Sequence, residues 1–420
     1  MKPYQKLLQV SALTGSSTLV KMLTGMLSLK IVAMHTGPEG VAILSQFMTL
    51  AGVLSTIAGG GISLGVIKYV AEYIHSKELA LFLPAATIYT LFFSLITMLA
   101  GLIFDTELSM WILGSPEFDY LIRWISVAQV FIALHLLFCS CINGFGEIRL
   151  LVGITIISSI LSMMLIGSFA FYYQLKGTLS AFVISQAIAI FISTGFICRR
   201  QWFPLLFSFN TKATYFFNLS RYSLMSIVST LTVPVAQIIV RNDLNTLYGW
   251  HSVGYWQAVV RLSDAYILFV TTALTAYYLP RLSQLDTIKS IKREIIQAYA
   301  SLMPIIAIAM ILIYVFREFI INLLYSKSFG PSTELFTYQL LGDFFRIAGW
   351  LFTYLLIAKS WTKIYVSTEI ILSLIFIIIA HYFSRTWGLI GVTYAFALTY
   401  FIYWLMMAGI GMIYLNQKDS

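Results

Sequence analysis

Six charged side chains lie in stretches of the sequence that are otherwise apolar and long enough to cross a bilayer. They are Lys21, Lys30, Arg261, Asp264, Asp343 and Arg346. A charge at the centre of a membrane helix costs about 2.5–3.5 kcal/mol on insertion scales, so it usually faces protein or a water-filled cavity. Four of the six are cations, and a cationic interior favours an anionic ligand.

Two pairs of these charges have the spacing of neighbours on one face of a helix. Arg261 and Asp264 are three residues apart, and Asp343 and Arg346 repeat that spacing in reverse order. Each pair either neutralises itself within its helix, or releases one partner when an anion binds or the acid takes a proton. Low dielectric favours a protonated carboxyl group unless a cation offsets it. Asp264, Asp343 and Glu369 are therefore candidate proton carriers.

The two lysines of the first apolar stretch are expected on nearly opposite helical faces, since they are about nine residues apart at roughly 100° per residue. Lys21 lies near the middle of the stretch, too far from the membrane surface to reach it easily. Lys30 lies nearer the outer end. It either lines a cavity, as a further binding cation, or extends its ammonium group to the surface.

Glycine and proline interrupt several of the apolar stretches. Gly59, Gly60 and Gly61 fall late in the second stretch, and Pro234 falls inside the seventh. Because both residue types are common in membrane helices, these positions serve either ordinary packing or hinge motion.

The sequence contains no recognisable catalytic constellation. Its five histidines are scattered without metal-ligand spacing, and no phosphate-cradling G-x-x-x-x-G-K-[ST] motif occurs. We therefore expect a protein that is not an enzyme and that needs no metal or cofactor.

Membrane helices must position these residues, as the composition indicates. Of 420 residues, 59% are hydrophobic and 10% charged, against about 25% charged in soluble proteins. A crossing needs roughly 20 mainly apolar residues, and continuous apolarity at that length predicts helices, which satisfy their own backbone. We predict an all-α integral membrane protein with twelve spans, at about 8–34, 41–66, 79–104, 119–142, 150–173, 178–198, 214–240, 253–279, 296–323, 334–358, 363–384 and 388–414.

Lysine and arginine in the connections predict the orientation. They concentrate in alternate connections, for example at Arg199 and Arg200, whereas the opposite set carries an acidic patch between residues 105 and 119. Both termini are therefore predicted to be cytoplasmic, and the net charge of +9 reflects topology rather than nucleic-acid binding. The connection 201–213 divides six spans from six, which predicts one bundle at 1–200, a cytoplasmic linker and a second bundle at 214–420.

Six short motifs are distributed along the chain. They are Ser-Thr-Leu-Val-Lys at 17–21, Gly-Val-Ile-Lys-Tyr-Val-Ala-Glu-Tyr at 65–73, Ser-Asp-Ala-Tyr at 263–266, Tyr-Leu-Pro at 278–280, Gln-Leu-Leu-Gly-Asp at 339–343 and Ile-Ala-Lys at 357–359. With these motifs the chain resembles the Wzx polysaccharide flippases of the multidrug/oligosaccharidyl-lipid/polysaccharide (MOP) exporter superfamily, and the resemblance covers essentially the whole chain.

The resemblance implies a MATE-like fold, with two six-helix bundles forming a V around a cationic cavity in the bacterial inner membrane. It implies a substrate of undecaprenyl pyrophosphate carrying an O-antigen repeat unit, moved by alternating access to the periplasmic face for lipopolysaccharide biosynthesis. It places Lys21, Lys30, Asp264 and Asp343 in or beside the cavity, whereas Arg261 only adjoins a matching motif. Ion-gradient coupling, and contacts with the O-antigen polymerase and chain-length regulator, are further implications of the family.

Three other functions are weighed against this one. A MATE-type multidrug antiporter should have an acid-dominated cavity, whereas cations outnumber acids among the six deep charges. A glycan polymerase or ligase should carry a large periplasmic loop, which the sequence lacks. A non-transporting scaffold of a glycan assembly complex should tolerate charge reversal at Lys21 or Arg346.

Overall fold

In the computed structural model, which describes residues 3–285, 287–359 and 361–416, the regular elements are helices throughout, and this confirms the predicted all-α class. The α-helices are α1 (Pro3–Ala58), α2 (Ser63–Tyr73), α3 (Leu79–Ile103), α4 (Asp105–Leu113), α5 (Asp119–Gly144), α6 (Ile148–Ile197), α7 (Ala213–Ala273), α8 (Leu279–Ser283), α9 (Ile288–Val315), α10 (Arg317–Leu324), α11 (Phe336–Ala358), α12 (Thr362–Trp387) and α13 (Gly391–Leu415). Short 3₁₀ turns occur at Pro116–Phe118, Pro204–Phe207, Lys327–Leu335 and Gly388–Ile390, and a π-helical turn at Leu274–Tyr278.

Several helices are too long for one crossing. α6 has 50 residues and α7 has 61, so α6 alone would measure about 75 Å if straight, against about 30 Å of hydrocarbon. Each long helical region is broken by a residue with positive φ: Gly37, Gln174, Gly249 or Gly388. Within the described ranges these breaks give twelve apolar helical segments, the number that the sequence predicts.

The chain reverses direction at two of these breaks, as close backbone approaches show. A Cβ atom on Gly391 would lie 2.0 Å from the carbonyl oxygen of Phe383, and one on Gly177 would lie 2.7 Å from that of Phe169. Residues eight positions apart in a straight helix are separated by about 12 Å. The two arms therefore fold back on each other, and glycine is needed where they meet.

The second apolar stretch ends earlier than predicted. Its helix stops at Ala58 rather than near residue 66, and Gly59–Gly61 form a connection to the separate helix α2. Gly60 and Gly61 have φ of 66° and 63°, which glycine alone adopts readily. The prediction ran too far because α2 is itself apolar on its buried face. At Pro234, by contrast, the backbone of α7 remains helical, and a hinge at any of these four positions stays a prediction.

The helices form two compact units. The first comprises Met1–Thr36 and Ile43–Ile238, and the second comprises Gly37–Ala42 and Ile239–Ser420. The short segment from α1 belongs with the second unit because a Cβ on Gly254 would lie 2.0 Å from the carbonyl oxygen of Pro38. The division at residues 201–213 and the orientation of the termini stay predictions.

Glycines bring α11 close to α13 in the second unit. A Cβ on Gly342 would lie 2.4 Å from the ring of Phe396, and one on Gly349 would lie 2.6 Å from the ring of Tyr403. Large aromatic side chains of α13 thus fill the space that these glycines leave. The close approach buries one face of α11, and that face carries the acid at position 343.

Candidate functional site

Asp343 is fully buried and is held by hydroxyl groups from another helix. Ser263 Oγ donates a hydrogen bond of 2.6 Å to Asp343 Oδ2, and the phenol of Tyr266 donates to the same oxygen. Both donors lie on α7, three residues apart, so they share a helical face. Asp343 Oδ1 has no hydrogen-bond partner among the residues that the structure describes. One carboxylate oxygen therefore ties α11 to α7, while the other is buried without a hydrogen bond, which favours its protonation.

Arg346 lies against aromatic rings instead of against its neighbour in sequence. Its guanidinium carbon is 4.9 Å from the ring centroid of Trp350 and 5.2 Å from that of Tyr400. Such contacts contribute about 0.5–2 kcal/mol, more when shielded from water. In the described part of the chain, Asp343 and Arg346 form no direct ion pair; the hydroxyl groups of α7 take the place that the arginine would have had.

Three acids surround Arg346 at longer range. Asp264, Asp343 and Glu369 all act electrostatically on its guanidinium group, and they come from α7, α11 and α12. The structure thus brings together all three candidate proton carriers around one of the predicted cations. Movement or neutralisation of any of these acids changes the field at the arginine.

Arg261 and Asp264 form the intrahelical pair that their spacing predicts. The distance from Arg261 Nη1 to Asp264 Oδ2 is 3.9 Å, which is too long for a hydrogen bond. The Asp264 side chain is 47% exposed, so this acid can be approached by another group. The pair is loose, and its partners can separate at little cost.

Arg241 is a further member of this cluster, and the sequence analysis missed it. It lies within α7, only 2% exposed, near Arg261 and Asp264. An arginine at the end of an apolar run has the same sequence context whether the helix stops or continues. With it, the second unit has three clustered arginines and three clustered acids, whose formal charges cancel.

Lys21 lies in the first unit, in a different setting. It is exposed, and its ammonium group makes no ion pair or hydrogen bond with the part of the chain described here. Small polar residues within about 60° of it on the same helix form a stripe, made of Thr14, Ser17, Thr18, Thr24 and Ser28. The opposite side exposes Leu19, Leu23 and Leu27. Ser17, Thr24 and Ser28 are buried and donate to backbone carbonyl groups of the preceding turn. This helix therefore has an exposed apolar face and a polar face that is largely packed against protein, with Lys21 exposed beside it.

Lys30 is on the other side of the same helix, as the sequence predicts, and is half-buried. The lysines thus belong to the first unit, and the arginines and acids belong to the second. Since the formal charges of the arginine–acid cluster cancel, the excess of positive charge among the candidate residues comes from Lys21 and Lys30.

Known proteins match nearly the whole length of this chain. Residues 7–286 match the family model described as polysaccharide biosynthesis protein. The lipid III flippases of Escherichia coli (strain K12) and Shigella flexneri are each 31% identical to the chain over 422 residues, covering 97% of this chain and 99% of theirs.

Solved structures show the same fold. An inward-facing multidrug resistance MATE family transporter of the MOP superfamily superposes with a TM-score of 0.84 at 14% identity, covering 95% of this chain and 96% of that one. A MOP superfamily transporter from Pyrococcus furiosus, reported to have a binding pocket of reverse polarity, gives a TM-score of 0.66 at 15% identity, with 98% and 95% covered. At these identities the likeness concerns the fold alone.

Proposed function

The chain belongs to the polysaccharide biosynthesis protein family as a Wzx-type flippase, and on this premise we propose that its substrate is an O-antigen repeat unit linked to undecaprenyl pyrophosphate. The chain is a multi-pass membrane transporter for a lipid-linked saccharide rather than an enzyme. The chain delivers this cargo from the cytoplasmic to the periplasmic face of the inner membrane by alternating access. Both of its termini lie in the cytoplasm. The O-antigen polymerase and chain-length regulator are the partners that we propose.

The observation that carries the proposal is the ammonium group of Lys21. A pyrophosphate bearing a hydroxyl-rich oligosaccharide cannot cross hydrocarbon unaided, because its hydration shell must be replaced. Lys21 offers a cation at mid-membrane depth on a stripe of small hydroxyl side chains, and no acid of the protein neutralises it by direct contact in the described residues. The ammonium group of Lys21 suits a phosphate, and Thr14, the exposed member of the stripe, lies on the same side of the helix where a sugar could contact it, while the exposed leucines on the other side face lipid.

Release of the cargo requires that binding stay loose. In the second unit the acids around Arg346 compete with any incoming phosphate for the guanidinium group, and this competition limits the affinity. Protonation of one of these acids would weaken the competition and strengthen phosphate binding. We propose that flipping is coupled to an ion gradient through Asp264, Asp343 or Glu369 in this way.

The cargo can be tested by genetic complementation. Expression of the chain in a strain that lacks its O-antigen flippase should restore the O-antigen ladder on a polysaccharide gel. If the chain instead rescues only a strain that lacks the lipid III flippase, its cargo is the substrate of that flippase and not the O-antigen repeat unit. Increased resistance to organic cations without either rescue would instead support a multidrug antiporter.

Replacing Lys21 by glutamine should reduce flipping without affecting stability. A charged hydrogen bond to phosphate is worth about 1.5–3 kcal/mol, so we expect transport in proteoliposomes to fall by roughly 10- to 150-fold. Lys21→Arg should retain most of the activity. The unfolding temperature should not change, because the ammonium group has no partner in the described chain to lose.

The matched control is Lys176→Gln, since Lys176 is an exposed lysine that contacts Glu117 at 3.2 Å, away from the polar stripe. Wild-type flipping by Lys21→Gln, or an equal loss in both variants, would contradict the role assigned to Lys21.

A further inference from the structure

An apolar groove of about 480 Å³ opens on the outside of the second unit, between α9, α11 and α13. Its lining includes Ile296, Tyr299, Phe352, Met412 and Leu415, and one cation, Lys292. The phenol of Tyr299 donates a 2.5 Å hydrogen bond to the carbonyl oxygen of Ala348. Its ring can therefore face the groove while its polar end is satisfied within the protein.

The groove has a charged end and an apolar length. Lys292, Ile296 and Tyr299 follow one another on a single face of α9, and they span about 10 Å along the helix axis. Of these three residues, Lys292 lies nearest the N-terminal end of α9, where the membrane-crossing segment begins. This arrangement matches a lipid with its headgroup at Lys292 and an acyl chain along the apolar residues.

The charge at this end of α9 specifies the kind of headgroup. Lys289, Lys292 and Arg293 are all exposed and form no ion pair with any residue that the structure describes. The adjacent acid, Glu294, is already engaged by Arg281 at 3.3 Å. Three cations therefore remain for an external anion, and each one near an anionic lipid surface strengthens binding about fivefold.

We propose that this groove is a binding site for an anionic glycerophospholipid, with the lipid phosphate at Lys292 and one acyl chain along Ile296 and Tyr299. A zwitterionic lipid presents an ammonium group beside its phosphate, which the three cations oppose. None of the clustered arginines and acids lines the groove, so it takes a structural lipid and not the transported cargo.

Thermal unfolding of the purified full chain in a neutral detergent tests the proposal. Phosphatidylglycerol should raise the unfolding temperature in a saturable manner, whereas phosphatidylcholine and inorganic phosphate should not. Lys292→Gln should weaken the apparent affinity for phosphatidylglycerol about fivefold. Lys212→Gln removes an exposed lysine from the first unit, and it should leave that affinity unchanged.

A steric pair of variants tests the groove itself. Ala300 lines the groove, so Ala300→Phe should fill it and abolish the stabilisation by lipid. Ser301→Phe places the same side chain on the next face of α9 and should preserve the effect. The proposal is overturned if phosphatidylcholine stabilises equally, if inorganic phosphate suffices, or if Lys292→Gln and Ala300→Phe both bind phosphatidylglycerol as the wild type does.

Discussion

Transport should fall by about 10- to 150-fold when Arg346 is replaced by alanine. A charged hydrogen bond to the substrate phosphate is worth about 1.5–3 kcal/mol, which corresponds to this range. Asp264, Asp343 and Glu369 all act electrostatically on the same guanidinium group, so its loss also leaves their negative charges less well compensated. Flipping of a lipid-linked oligosaccharide in proteoliposomes is the measurement, together with the unfolding temperature, which should also fall.

Loss of folding alone would produce the same result, so a charge-balanced variant is needed. Arg346→Gln combined with Asp343→Asn removes one charge of each sign and should recover much of the stability. If Arg346 acts in transport, this double variant folds but does not flip the substrate. Full transport by the double variant would reduce Arg346 to a counterion.

The chain offers a matched control for the aromatic contact. The guanidinium carbon of Arg317 lies 4.2 Å from the ring centroid of Tyr314, in the exposed connection between α9 and α10. Arg317→Ala removes the same kind of cation–π contact outside the cluster. It should change transport far less than Arg346→Ala does, because an exposed contact of this kind is worth only about 0.5–1 kcal/mol and Arg317 is not a member of the cluster.

Replacing the three clustered acids by amides should abolish the response of flipping to a pH gradient. One pH unit supplies about 1.4 kcal/mol per proton, which is enough for roughly a tenfold bias in a coupled transporter. In the variant Asp264→Asn/Asp343→Asn/Glu369→Gln, the initial rate should be the same with and without the imposed gradient. Proteoliposome flipping at fixed internal pH and varied external pH makes the comparison.

Exposed acids outside the cluster provide the control. The variant Glu107→Gln/Glu318→Gln/Glu334→Gln removes the same charge from short connections and should keep the wild-type gradient response. A full response in the cluster variant would rule out these acids as the coupling groups. Among single variants we expect Asp343→Asn to have the largest effect, because Oδ1 of that residue is free of hydrogen bonds in the described structure.

The number of membrane crossings could be predicted from sequence because it depends only on the length of each apolar stretch and on the thickness of the hydrocarbon layer. About 20 apolar residues fit the hydrocarbon once, and a longer helix must turn. Where a helix ends is a finer matter, as Gly59–Gly61 illustrate. The apolar run continues past these glycines, and only the backbone conformation shows that α1 has already stopped.

The contacts of the charged residues could be predicted only where they are local. The pair Arg261–Asp264 follows from helical spacing alone. The same spacing fails for Asp343 and Arg346, because local pairs contribute only about 0.2–0.5 kcal/mol and charged hydrogen bonds contribute more. Ser263 lies 80 residues away in sequence from Asp343, and no local pattern predicts that contact.

The excess of positive charge among the deep charged residues is confined to fewer residues than the composition suggests. Arg241 and Glu369 complete a cluster in the second unit in which positive and negative charges cancel. We therefore propose that Lys21 and Lys30 are the residues that distinguish a site for an anion from a site for a drug cation. Substitutions at these two lysines therefore test specificity more directly than a count of all deep charges.

The tight breaks at Gly37, Gln174, Gly249 and Gly388 bear on how the chain enters the membrane during synthesis. At Gln174 and Gly388 the chain reverses direction within a few residues, so each of these two pairs of apolar arms can enter lipid as a preassembled helical hairpin. Ser263 is made 80 residues before Asp343, so its carboxylate partner does not yet exist when α7 is synthesised. Arg261 and Asp264 are made together on one helix, and their charges offset each other from the start. A contact that is loose in the finished protein thus lowers the cost of inserting α7 before its long-range partner is made.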